Sequence, residues 1–171
     1  MMKQNPNGID YIKANSERIK FLFMDCDGVL TDGGMYYSER GDELKKFNTR
    51  DGMGIKLLRQ LGIRTAIITG EKTKLVAQRG KKLKIDEVCL GVEDKARVLE
   101  EILCKYDMGF NEAAYIGDDI NDLEAMKKVG LSFAVNDAMQ CVKDIADYVT
   151  KTAGGHGAVR EVAELIIHFR E

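Results

Sequence analysis

No stretch of this 171-residue chain stays apolar for the roughly 20 residues that a membrane-spanning helix needs. Residues 1–19 are polar and mixed, without the apolar centre of a secretory leader. Charge of neither sign dominates: 26 Lys and Arg stand against 28 Asp and Glu, a formal net charge of −2. That balance gives no electrostatic footprint for nucleic acid or for an anionic membrane surface. Cysteine is sparse. Cys26, Cys89, Cys104 and Cys141 have no paired spacing, and the first three lie in apolar surroundings. They read as reduced core thiols rather than disulfides or zinc ligands, which points to a cytoplasmic protein. None is followed by an arginine at the spacing of a cysteine-phosphatase loop, so a thiolate nucleophile is not expected. The length suits one domain with a substantial core and is too short for two.

What the chain does have is centred on Lys20–Asp32. An apolar run, Phe21-Leu22-Phe23-Met24, reads as a buried strand and ends abruptly in Asp25-Cys26-Asp27-Gly28. Alternation along a strand sends Asp25 and Asp27 to one side and Cys26 to the other. Two carboxylates brought together repel unless a cation or a shared proton lies between them, so the pair suggests a Mg²⁺ site. Taken alone, the same residues also fit a solvated turn.

Around that stretch, residues 1–18 form a polar extension with a short helix over Ile9–Ile19. A β-hairpin is expected between Gly33 and Phe47, with Ser38–Asp42 as its turn; its aromatics suit packing against a neighbouring subunit. Asp51 is the expected N-cap of the next helix, which Gly62 ends. Strands follow at Thr65–Gly70, Glu87–Gly91, Ala113–Gly117, Leu131–Val135 and Asp147–Thr150. Helices are expected over Lys72–Leu83, Asp94–Tyr106, from Asp122 to Val129, and over Ala158–Phe169. Continuous apolar strands alternating with helices predict an α/β fold: a single Rossmann-like parallel sheet with helices on both faces and a projecting hairpin. Ligands of such sheets bind beyond the carboxyl ends of the strands, where Asp25, Asp27, Thr69, Asp118 and Asp122 all fall.

These residue types belong together chemically. Mg²⁺ takes oxygen ligands, commonly one or two carboxylates together with substrate phosphate oxygens. Asp25 and Asp118 are the candidate carboxylate ligands, with the backbone carbonyl of Asp27 and with Asp122 behind them. The Thr69 hydroxyl and the Lys95 ammonium suit a phosphoryl group in transfer. Asp25 is then the candidate nucleophile, and Asp27 the acid that protonates the leaving alkoxide and later activates water.

Asp25-Cys26-Asp27-Gly28-Val29, Thr69-Gly70, Lys95 and Gly117-Asp118-Asp119-Ile120-Asn121-Asp122 resemble the four motifs of the haloacid dehalogenase superfamily, in its order. A receiver domain also combines an acidic pocket with Thr and Lys, but in a different order. Further stretches, Val29–Gly33, Lys46–Gly52 and Ala153–Glu161, resemble the 3-deoxy-D-manno-octulosonate 8-phosphate phosphatases, so that the likeness covers nearly everything from Phe21 to Ile167. It implies a Mg²⁺-dependent phosphatase domain over residues 19–171 acting on a sugar acid phosphate. Neither the gap from Asp25 to Thr69 nor that from Thr69 to Lys95 has room for a cap domain. The resemblance therefore implies a homotetramer in which a neighbour covers the site. It also implies substrate contacts at Asn48, Thr49, Arg50, Asp51, Gly70, Glu71, Arg79, Lys82 and Asn121.

Two positions depart from that family. His156 stands in the glycine-rich tail where arginine is usual, which bears on the tail's contact with substrate. Glu71 follows Thr69-Gly70 where arginine is usual, and there the chain resembles phosphatases of nine-carbon 2-keto-3-deoxy acid 9-phosphates of the sialic acid type. An anion in place of a cation changes which substrate groups are tolerated, and both chain lengths remain open. A reading of another class, a non-catalytic oligomerisation module, also stays open, as do a generic sugar phosphatase and a phosphomutase.

Overall fold

The computed structural model describes residues 8–170, apart from the side chains of 42 and 43. Six strands form one parallel sheet: β1 (Phe21–Met24), β4 (Arg64–Ile68), β5 (Glu87–Cys89), β6 (Ala113–Gly117), β7 (Leu131–Ala134) and β8 (Tyr148–Val149). Their order across the sheet is β5-β4-β1-β6-β7-β8, and every pairing is parallel. β2 (Tyr36–Ser38) and β3 (Gly41–Leu44) make a separate antiparallel hairpin. This is the architecture that the apolar runs predict. Every residue of β1, β6 and β7 is buried, because helices cover both faces and leave no side for polar alternation.

Helices α2 (Thr49–Gln60), α3 (Lys74–Leu83) and α7 (Ala158–His168) pack together as one layer. α4 (Lys95–Lys105) and α5 (Leu123–Lys128) pack against each other as a second. The single turn α6 (Gln140–Lys143) leads toward β8 and has no counterpart in the sequence reading. α1 (Gly8–Asn15) lies against α7 and β8 and buries Ile12 completely. The helix expected to run from Ile9 to Ile19 instead tightens into a 3₁₀ turn over Ser16–Arg18. The Ser16 hydroxyl donates back to Ile12 O at 2.7 Å, a local bond that competes with continued α-helix.

Three other expectations change. Asn48, not Asp51, caps α2, its side chain accepting from Arg50 N at 2.9 Å. Asp51, 1 % exposed, instead accepts from Arg160 N at the start of α7 and ties the two helices together. The hairpin turns on Glu39-Arg40 rather than on five residues, since Ser38 pairs directly with Gly41. Of the thiols, Cys26 is buried, Cys89 half-buried and Cys104 exposed: Leu99, Ile102 and Leu103 take the inner face of α4, and the next residue turns outward. None of the helices among the described residues is long and apolar enough to cross a membrane.

The register fixes the place of the chemistry. Met24 is level with Ile67 of β4 and Ile116 of β6. Asp25, Thr69 and Asp118 therefore emerge side by side just beyond three adjacent strands. From β1 the chain passes to β4 and β5 on one side, then returns to β6 on the other. The crevice between β1 and β6 is thus the topological switch point, where sheets of this kind hold ligands.

Candidate active site

Asp25 continues β1, its backbone N–H still bonded to Ile116 O at 3.1 Å, and the residue is only 5 % exposed. Lys95, the first residue of α4, reaches under the strand ends and is also buried. Its Nζ lies 2.6 Å from Asp25 Oδ1 and 2.7 Å from Asp122 Oδ1. Asp122 has no oxygen to spare. Oδ1 accepts from Lys95 and from the Tyr115 hydroxyl at 2.7 Å, while Oδ2 accepts from the backbone N–H of Asp118 at 3.0 Å. Although Asp25, Asp118 and Asp122 bring carboxylate oxygens within 4.8 Å of one another, Asp122 serves to brace the other two.

Asp118 differs, because its Oδ1 is buried with no hydrogen-bond partner. Burial, then the facing Asp25 charge, pushes its pKa up to about 8. Burial and the Asp122 charge likewise push Asp25 up to about 6, against the opposing pull of Lys95. Burial disfavours the Lys95 ammonium, but the two carboxylates outweigh it and hold its pKa above the usual value. A partnerless buried oxygen and two adjacent carboxylates reluctant to ionise together are what a divalent cation would relieve. The backbone makes room: Gly28 has φ +92°, and a Cβ there would lie 2.0 Å from Asp118 Oδ2. The residues present fit a hard cation held by oxygen.

A cleft of about 190 Å³ opens over this cluster. It is lined by Asp25, Asp27, Thr69, Gly70, Glu71, Asp118 and Asn121, all expected from the sequence, with Met35 and Asp119 in addition. Thr69 is buried, and its hydroxyl accepts from Glu71 N at 3.2 Å. The remaining expected residues lie elsewhere. Thr49 and Arg50 line a separate hollow of about 680 Å³ with His156 and Arg160. Asn48 is engaged at both ends of its amide, capping α2 and donating to Gly155 O at 3.1 Å. Arg79 donates to Asn48 O at 2.9 Å and sits over the Phe47 ring, and Lys82 is exposed on α3. The glycine-rich tail is strapped to the catalytic loop through Gly155 N to Val29 O, 2.9 Å.

Two residues at the site carry no mark in the sequence. Tyr115 reads as one more apolar position of β6 until its hydroxyl is seen on Asp122. Lys45, just past β3, has a fully buried side chain whose Nζ lies 2.6 Å from Asp27 Oδ1. Its neighbour Lys46 is 54 % exposed and pairs with Asp32. Only the opposite facing of adjacent residues along an extended chain distinguishes the two lysines.

Fold and site define a haloacid dehalogenase-like hydrolase, and the family profile of that description matches residues 91–162. Over 156 residues the chain is 46% identical to the 3-deoxy-D-manno-octulosonate 8-phosphate phosphatase KdsC of Escherichia coli, covering 91% of this chain and 83% of that protein. The phosphatase of that name from Yersinia pestis superposes with a TM-score of 0.92 at 42% identity, covering 94% and 87% of the two chains. That from Moraxella catarrhalis, solved with magnesium, phosphate and a KDO molecule, superposes with a TM-score of 0.91 at 38% identity, covering 94% and 92%. The chain belongs to this family of capless haloacid dehalogenase-like phosphatases.

Proposed function

We propose that the protein is a Mg²⁺-dependent phosphoric monoester hydrolase acting on 3-deoxy-D-manno-octulosonate 8-phosphate or a close 2-keto-3-deoxy sugar acid phosphate. The observation that carries this reading is the buried bridge of Lys95 to Asp25 and Asp122, beside Asp118 with its Oδ1 buried and unpaired, at the switch point of the sheet. Asp25, Asp118 and the carbonyl of Asp27 would hold Mg²⁺. Once bound, the ion neutralises charge on the phosphoryl oxygens.

The chain's own residues supply the rest. An Asp25 oxygen attacks phosphorus, forming the aspartyl-phosphate as the bond to the sugar oxygen breaks and its electron pair leaves with that oxygen. Asp27, protonated, gives its proton to the departing alkoxide. It then takes one from water as the water oxygen attacks phosphorus, and the bond to Asp25 breaks to regenerate the carboxylate. Thr69 and Lys95 hold the phosphoryl oxygens and their developing charge. Gly70, Glu71 and Asn121 line the cleft, where they would meet the sugar. Asn48, Thr49, Arg50, Asp51, Arg79 and Lys82 stand outside it in a single chain, where Asn48, Asp51 and Arg79 shape the α2 edge.

The domain proposed spans residues 19–171, with 1–18 as an extension whose described helix, α1, packs on it. The hairpin leaves Tyr36, Tyr37 and Leu44 each more than 60 % exposed, which supports a homotetramer in which a neighbour covers the cleft. A cytoplasmic setting fits four free thiols. The product acid would feed lipopolysaccharide or another surface glycan.

Glu71, on the cleft wall, favours a second reading: a nine-carbon 2-keto-3-deoxy acid 9-phosphate as substrate. Parallel measurement of kcat/KM for the eight-carbon and nine-carbon phosphates, with Asp25→Asn as control, separates the two. Preference for the eight-carbon ester is expected. Preference for the nine-carbon one moves the assignment, and absence of Asp25-dependent release from either leaves the non-catalytic oligomerisation module.

A further inference from the structure

We propose that Lys45 is a positioning residue for the catalytic acid, dividing the two oxygens of Asp27 between anchoring and proton transfer; this rests on the reading of Asp27 given above. The two oxygens have unlike surroundings. Oδ1 accepts from Lys45 Nζ at 2.6 Å and from the Thr31 hydroxyl at 3.2 Å. Oδ2 is buried and has no hydrogen-bond partner among the described residues. A buried carboxylate oxygen without a donor is costly unless something arrives to use it, and Asp27 lines the cleft where the ester must lie. Oδ2 is therefore the oxygen that carries the proton to the leaving alkoxide and takes the next one from water. Oδ1 is the hinge that keeps it aimed.

Both anchors are themselves held. Thr31 is buried and forms an isolated antiparallel bridge to Phe47, two residues beyond Lys45. The hairpin's return arm is thereby fastened to the catalytic loop at the height that buries the Lys45 side chain. A charge-assisted bond to a buried ammonium orients a carboxylate more firmly than a neutral donor does. The same arm bears the exposed Leu44, so the position of the hairpin and the aim of the acid are coupled.

The experiment compares kcat/KM for an alkyl phosphate, octulosonate 8-phosphate, and an aryl phosphate, p-nitrophenyl phosphate, in wild type, Lys45→Met, Lys45→Arg and Asp25→Asn. An alkoxide needs a proton to leave and a nitrophenolate does not, so in kcat/KM, which ends at departure of the alcohol and leaves out the hydrolysis common to both esters, the acid's aim matters only for the first. Lys45→Met is expected to lower the alkyl value by about 10-fold or more, part of the roughly 10²–10⁴-fold that a positioned acid contributes. The aryl value should fall by less than about threefold, and Lys45→Arg should recover part of the alkyl loss by restoring a cation to Oδ1. Beryllium fluoride with Mg²⁺, a mimic of the bound phosphoryl group, should raise the melting temperature of Lys45→Met as much as that of wild type. Equal losses on the two esters, or loss of the fluoride response, would make Lys45 a structural or phosphate-binding residue and overturn the proposal. Release that survives Asp25→Asn sinks the proposed function instead, and a wild type inert toward both esters overturns the two together.

Discussion

The hydroxyl of Tyr115 donates to Asp122 Oδ1 at 2.7 Å, from a side chain wholly enclosed within β6. Through that bond the centre of the sheet orients a carboxylate that in turn holds Lys95 Nζ and the backbone of Asp118. Rigid support from a strand is what keeps a site within the tolerance that catalysis needs.

Tyr115→Phe removes the hydroxyl and keeps the ring. The expected cost is about 1.5–3 kcal/mol, the value of a hydrogen bond to a charged partner, read by chemical denaturation. Because Asp118 is then less firmly held, the Mg²⁺ concentration for half-maximal activity should rise several-fold. An unchanged Mg²⁺ requirement would mean that Asp122 is oriented without Tyr115.

Lys95→Met leaves Asp25 and Asp122 buried without their shared cation. Breaking a buried ion pair from one side costs roughly 3–5 kcal/mol, so the melting temperature should fall clearly, and phosphate release should drop by several orders of magnitude. Retained activity in a folded Lys95→Met protein would remove Lys95 from the phosphoryl site.

The carboxylate cluster also sets a pH dependence. Burial and the neighbouring carboxylate charges push Asp25 up to about 6 and Asp118 up to about 8 in the metal-free fold, against roughly 3.9 for an unfolded aspartate. Between those limits the folded state binds more protons than the unfolded one, so stability without divalent cation should fall as pH rises from about 4 to 8. Mg²⁺ replaces the protons, so the gain in melting temperature on adding it should be small near pH 5 and largest near pH 8. A gain independent of pH would show that the ion binds away from these two carboxylates.

Gly154 meets the catalytic loop so closely that a Cβ would lie 1.7 Å from Gly28 O. Gly154→Ala must push the tail off the loop. About 1–3 kcal/mol of destabilisation is expected, as for other overpacked positions, with a fall in kcat greater than that of a surface substitution such as Lys81→Ala. Wild-type kcat in Gly154→Ala would show that the strap does not hold the loop.

The sheet was legible because apolar runs ending in glycine or aspartate leave few alternatives, and three of the four motifs sit at the ends of such runs, the fourth, Lys95, opening a helix. Nothing local chooses between Asn48 and Asp51 as a cap, since both are good caps at the head of one helix. The choice is made by α7, which arrives more than 100 residues later and takes Asp51 for its own first turn. Lys45 and Tyr115 were hidden for the same reason. Each acts through a contact between elements, Lys45 with Asp27 from the hairpin and Tyr115 with Asp122 from inside a strand. Periodicity describes a face, and cannot say which polar tip finds a partner there.

The most direct test is to look for the phosphoryl group on Asp25. Protein mixed with octulosonate 8-phosphate and Mg²⁺, quenched in acid within one turnover and digested, should yield a phosphorylated peptide at Asp25, with free phosphate following; Asp25→Asn should yield neither. Phosphate released without a modified Asp25, or released equally by Asp25→Asn, would contradict the account.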